Sequence, residues 1–145
     1  MNRRVYLAAV GTSVSAGLAG CTSTLGVFDS EPCNDDACHI GMTRTDFVPE
    51  EYEATVGETV VWKNTSEAIH TVTALETGIP DEAEYFATGG YGDEKTAREG
   101  WHEDHGGGLE TRETFEYTFE VPGTYDYICI PHVGADMVGR VVVSE

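Results

Sequence analysis

Lysine is nearly missing from this chain: Lys63 and Lys95 are the only two among 145 residues. With the arginines they make 8 basic residues against 26 acidic ones, a formal net charge of −18. Phosphate backbones are held by charge of the opposite sign, so nucleic acid is excluded as a partner. No internal repeat appears, and a length close to one domain's worth implies one core rather than several. Also lacking is an apolar run able to span a bilayer. The candidate, Val5 to Gly20, carries no charge but is only moderately hydrophobic and falls short of the roughly 20 strongly apolar residues a spanning helix needs. Hydrophobic types at 40% and aromatics at 10% are still too abundant for a disordered chain. Acidity spread along the whole chain is what keeps a protein hydrated in concentrated salt, which points to a halophile, with an ordinary acidic secreted protein as the alternative.

The paired Arg3-Arg4 ahead of Val5 to Gly20 form the charged and apolar regions of an export signal. The run closes with Leu18-Ala19-Gly20-Cys21, which resembles a lipobox, and twin arginines resemble the signal for export of folded proteins. Residues 1–20 are therefore expected to be removed, leaving Cys21 as a lipid-carrying N-terminus on the outer face of a membrane. That removal takes away two arginines and no acid, moving the net charge from −18 to −20. A lipid anchor survives salt that would screen electrostatic attachment. Residues 21–40, polar and without periodicity, read as a tether, and residues 41–145 as the folded domain.

Within that domain, short runs rich in β-branched and aromatic residues alternate with turn chemistry: Thr59 to Lys63, His70 to Leu75, Thr114 to Val121, Thr124 to Ile130 and Val138 to Val143. The spacing predicts an all-β antiparallel sandwich or barrel. Phe115, Tyr117 and Phe119 fall on one strand face, and so do Tyr125, Tyr127 and Cys129, which aims the Cys129 sulfur inward. Thr77 to Leu109 lacks strand character, with helical propensity at Asp93 to Glu99; so long an insertion is expected to carry one or two short helical turns.

The chemistry concentrates near the C-terminus. Cys129-Ile130-Pro131-His132-Val133-Gly134-Ala135-Asp136-Met137 offers a thiol, an imidazole and a thioether, and His70 supplies a second imidazole from the start of a predicted strand. Cu(I) favours thiolate and thioether, Cu(II) tolerates imidazole, and two histidines, one cysteine and a long axial methionine serve both oxidation states. Singly, each residue has a plainer reading, as an inert buried thiol, a core methionine or a solvated imidazole. Zinc is the rival metal, but it wants a fourth strong ligand where the loop offers only Asp136. Cys33 and Cys38 lie close enough in an exported chain to read as a disulfide; an unpaired state, or a second metal site, stays open. His102 and His105, beside Glu103 and Asp104, read as a solvated polar loop, with a surface metal as the alternative.

The metal loop is similar to that of plastocyanins. Ile79-Pro80-Asp81 and Ala83-Glu84-Tyr85-Phe86-Ala87-Thr88-Gly89-Gly90, together with Gly123-Thr124-Tyr125 and Cys129-Ile130-Pro131-His132, more closely resemble the halocyanins, membrane-attached, plastocyanin-like small blue copper proteins of haloarchaea. The resemblance covers roughly Phe47 to Val143. It implies a cupredoxin Greek-key β-sandwich of seven or eight strands holding one type 1 copper, with His70, Cys129 and His132 as equatorial ligands and Met137 as the axial one. The chain departs from plant plastocyanins in carrying Thr71, not asparagine, after the first ligand histidine, where the backbone amide can still donate to the Cys129 sulfur. Pro131, lacking an amide hydrogen, withholds one donor from the sulfur, which favours a higher potential. The expected function is a lipid-anchored one-electron carrier, not an enzyme, working between membrane-bound or soluble redox proteins. The ring of His132 should meet solvent in a small apolar patch beside Val133, where a partner docks. A monomer is expected. The alternatives are a subunit of a copper-dependent reductase, which would need a second copper or an open substrate position, and a copper-binding or storage protein, which would need exchangeable ligands.

Overall fold

The computed structural model describes Cys33 and residues 38–145. The expected export signal, the lipidation expected at Cys21 and most of the expected tether lie outside the described residues. Among those described, no helix is long and apolar enough to cross a membrane. The sulfurs of Cys33 and Cys38 stand 2.02 Å apart, at disulfide distance, immediately ahead of the first strand.

Among the described residues eight strands form two sheets. The first holds β2 (Phe47–Val48), β1 (Ile40–Met42), β4 (Thr59–Asn64) and β6 (Thr114–Thr118), in that spatial order. The second holds β3 (Glu51–Thr55), β8 (Val138–Ser144), β7 (Gly123–Ile128) and β5 (Thr73–Ala74). Pairing is antiparallel except between β1 and β4 and between β3 and β8, which run parallel. Alternation decides what each strand buries. In β4, Val60, Trp62 and Asn64 are buried while Thr59, Val61 and Lys63 face outward. In β7, Tyr125 and Tyr127 are fully buried, and Cys129, the next residue of that face, is buried with them.

The two inner faces meet through aromatic rings. Trp62 of β4 stands perpendicular to Tyr127 of β7 at 5.5 Å between centroids, and Phe119 meets Tyr125 edge-on at 4.7 Å. Phe86, from the long insertion, stacks on Tyr117 at 4.4 Å and reaches Trp62. Such pairs add about 0.5–1.5 kcal/mol each beyond the area they bury. The expected face of Phe115, Tyr117 and Phe119 is thus the face that packs.

Three expectations need correction. The strand expected over His70 to Leu75 is only Thr73–Ala74, because His70 forms an isolated bridge with Leu109 instead of continuing the sheet. The strand expected to run through Ile130 ends at Ile128, since Cys129 begins a 3₁₀ turn over Ile130–Ala135 with Pro131 in its first turn. The insertion holds more than short turns: besides a 3₁₀ turn at Glu76–Gly78, it carries α1 (Glu94–Asp104), eleven residues long. Asp93 caps that helix by accepting the Thr96 N–H at 2.7 Å, an Arg98–Glu94 ion pair braces its flank, and His105 ends it in the left-handed conformation.

The insertion returns to the sheet on both sides of α1. Ala74 N–H donates to Phe86 O and Thr88 N–H to Val72 O, while His70 and Leu109 exchange both backbone bonds at 3.2 and 2.7 Å. Residues 70–74 are therefore held from outside by the insertion and from inside by β7.

Candidate metal centre

Three segments deliver the donor atoms. His70 is fixed by its backbone bridge to Leu109, Cys129 follows the last residue of β7, and His132 sits within the 3₁₀ turn that Cys129 opens. The turn is short enough to bring His132 back over the cysteine: His132 N–H donates to Cys129 O, and Cys129 N–H donates to Met137 O, closing the loop into a ring of backbone bonds. Asp136, in the left-handed conformation, caps the turn and lets the chain re-enter β8.

The ligand atoms of His70, Cys129 and His132 all lie within 4.8 Å of one another, and among the described residues this is the cluster of metal-ligating groups that forms. Cys129 Sγ is 3.5 Å from His70 Nδ1 and 3.4 Å from His132 Nδ1. His70, Cys129 and Met137 are fully buried, whereas His132 is partly exposed. Asp136 is exposed and not in the cluster, so the fourth strong ligand that zinc would want is missing from the loop. A thiol, two imidazoles and a buried thioether beside them fit a type 1 copper.

Burial sets the electrostatics. Desolvation, with repulsion from His132 second, lowers the His70 pKa to about 4, and desolvation lowers that of His132 as well. Both rings are neutral near pH 7 and ready to ligate. Burial pushes the Cys129 thiol up, while hydrogen bonds from the backbone of Thr71 and of His132 and from the Thr71 side chain pull it back. Those same donors stabilise the thiolate once a cation is present.

Around the ligands stands a set of braces the sequence reading did not foresee. Thr71 N–H donates to Cys129 Sγ at 3.4 Å, as anticipated, but its hydroxyl also accepts the Ile130 N–H at 2.9 Å and a hydrogen bond from Thr73 Oγ1 at 3.2 Å. Ser66 meets the far side of the His70 ring, its Oγ 2.8 Å from His70 Nε2, and Asn64 in turn holds Ser66; both read in the sequence only as turn residues. A polar side chain at an inward position of β4 was the signal that would have drawn attention to Asn64.

The remaining histidines are used differently. His39 Nδ1 accepts the Val61 N–H at 2.9 Å, His105 caps α1 and lies on Trp101 at 4.6 Å, and His102 is exposed. No metal-ligating cluster forms around His102 and His105 among the described residues. Two apolar side chains next to ligands are exposed: Val133, at 41%, follows His132, and Ile69, at 39%, precedes His70 and shares its surface cleft with Glu67, Glu110 and Thr111.

Comparison with known proteins agrees with this geometry. Residues 35–144 match the profile of copper binding proteins of the plastocyanin/azurin family. The chain is 35% identical over 98 residues to a chloroplastic plastocyanin of Hordeum vulgare, covering 68% of this chain and 54% of the relative. It is 31% identical over 98 residues to a plastocyanin of Vicia faba, covering 68% and 87% of the two chains. The chain thus spans about half the length of the chloroplastic relatives it matches. Among solved structures, a mutant amicyanin in its oxidized state superimposes with a TM-score of 0.53 at 25% identity over 75% of this chain and 83% of that one. A purple cupredoxin from Nitrosopumilus maritimus gives 0.52 at 24% identity over 74% and 99%, a likeness of fold. Two four-stranded sheets, a Cys-x2-His-x4-Met loop and an upstream histidine on the sulfur are the marks of one lineage: this chain has the cupredoxin fold and belongs to the plastocyanin/azurin family of copper binding proteins.

Proposed function

We propose that this protein is a mobile one-electron carrier of the halocyanin type, taking single electrons from one redox protein and handing them to another. The observation that carries this reading is the convergence of the His70, Cys129 and His132 ligand atoms within 4.8 Å on segments already fixed by backbone hydrogen bonds. Copper bound there supplies the one-electron couple; the chain's own residues keep the donors from moving when the charge changes, which makes transfer fast. Members of this family are electron carriers rather than enzymes, and a complete set of four ligands leaves no position open to a substrate.

His132 is the ligand nearest solvent, and Val133, Gly134 and Ala135 around it are exposed. A partner docks there through a small, brief apolar contact, and the electron crosses at the ring edge. The acidic composition and the N-terminal signals support a lipid anchor at Cys21 on the outer face of the membrane, in strong salt.

A visible spectrum of the copper-loaded protein tests the carrier reading. We expect an intense thiolate-to-Cu(II) charge-transfer band that is lost in Cys129→Ser. A colourless Cu(II) form of the unaltered chain would sink the proposal, and turnover of nitrite or oxygen by the isolated protein would favour a reductase.

A further inference from the structure

Asn64 is completely buried at the last inward position of β4, where a sandwich ordinarily places an apolar side chain. All four of its side-chain hydrogen-bonding positions are filled. Its amide nitrogen donates to Ala68 O at 2.7 Å and to Leu109 O at 2.9 Å, and its amide oxygen accepts from Ser66 N–H and Ser66 Oγ, both at 2.9 Å. Because two partners are carbonyls, which only accept, and a third is a backbone N–H, which only donates, the amide can sit only one way round.

That orientation dictates the next group. Ser66 Oγ has one hydrogen, and the Asn64 oxygen takes it at 2.9 Å; Ala68 O, at 3.5 Å, is the more distant acceptor. The hydroxyl's lone pairs then face two neighbours, the Ala68 N–H at 3.3 Å and His70 Nε2 at 2.8 Å. Ser66 can satisfy His70 only as an acceptor, so His70 Nε2 must carry the ring proton; the Thr43 backbone carbonyl is a second acceptor for the ring. The lone pair is left on Nδ1, the nitrogen that faces Cys129 Sγ at 3.5 Å. The opposite tautomer would turn the Ser66 hydrogen toward His70 and set bare oxygens of Ser66 and Asn64 against each other at 2.9 Å.

We infer that Asn64 and Ser66 form a relay of positioning residues that fixes the His70 tautomer and ring plane before metal arrives, presenting Nδ1 as a ready ligand. The inference rests on the copper reading of the centre, but its first test needs no metal. Outer partners of ligating histidines typically change metal affinity about 10–100-fold when removed.

A proton–nitrogen correlation spectrum of the metal-free full chain near neutral pH reads the tautomer directly. We expect His70 protonated at Nε2, with that proton slow to exchange. Ser66→Ala, which leaves the Thr43 carbonyl as the remaining acceptor, should raise the share of the Nδ1-protonated tautomer and bind Cu(II) about 10–100-fold more weakly, while Ser66→Thr, which keeps the hydroxyl, should restore the original tautomer and affinity. Predominant Nδ1 protonation in the unaltered chain overturns the relay, and so does a Ser66→Ala protein with one Nε2 tautomer and unchanged affinity. If Ser66→Ala does not fold, Ser66→Gly, which also removes the hydroxyl, is read in the same way. An unaltered chain that shows the Nε2 tautomer yet takes up no copper supports the relay and removes the copper reading instead.

Discussion

Thr71 shows how much of the centre depends on one small side chain. Between the ligand His70 and the core residue Val72, it is 1% exposed and joins two segments distant in the chain. Its amide donates to the Cys129 sulfur, its hydroxyl oxygen accepts from Ile130 N–H and Thr73 Oγ1, and its side chain also helps stabilise the Cys129 thiolate. Thr71→Val keeps the volume but leaves the buried Ile130 N–H unpaired, which should cost about 1–3 kcal/mol by urea unfolding. Removal of a donor to the thiolate should also raise the reduction potential measured by voltammetry, and Thr71→Ser should restore both values. The ligands themselves were legible because three of them lie within one short loop whose spacing carries its chemistry, and His70 was the upstream histidine that begins a strand-like run. The hydroxyl of Thr71 and the amide of Asn64 were not, because Thr71 meets Ile130 across 59 residues and Asn64 meets Leu109 across 45. Nothing in local sequence specifies such partners.

Among the elements, β7 and β8 carry the metal loop between them, and their fit is close. Tyr127 and Gly139 are directly opposed in the register, and a Cβ on Gly139 would collide with the Tyr127 ring. Tyr127 is wedged edge-on against both Trp62 and Phe47 and cannot yield. Gly139→Ala should therefore destabilise by about 1–3 kcal/mol through overpacking, read as a lower thermal midpoint of the metal-free protein. It should also disturb the Cu(II) spectrum, since Tyr127 lies two residues before Cys129 on the same face. The long strands of this region were readable from their alternation of aromatic and polar residues. Strands β1, β2 and β3 were passed over: two are very short, and β3, Glu51-Tyr52-Glu53-Ala54-Thr55, buries only Ala54. The α1 helix was underestimated because Asp93 to Glu99 was the only stretch with obvious helical propensity. Its second half depends on Tyr91, whose ring lies where Cβ atoms on Gly100 and Gly106 would be, a contact that propensity cannot reveal.

For the molecule as a whole, net charge and attachment belong together. A chain at −18 gains no attraction to an anionic membrane from its charge, so the lipid anchor proposed at Cys21 would have to supply the attachment. Cys21→Ala should release the exported protein into the medium while the unaltered protein fractionates with membranes; a Cys21→Ala protein that stayed membrane-bound would sink the anchor. The insertion has a further effect at this scale. β5 is the outermost strand of its sheet and only two residues long, and Phe86, Ala87 and Thr88 already occupy the backbone groups along its free side. No second molecule can add a strand there, so copies crowded side by side find no template along this border for ribbon-like growth.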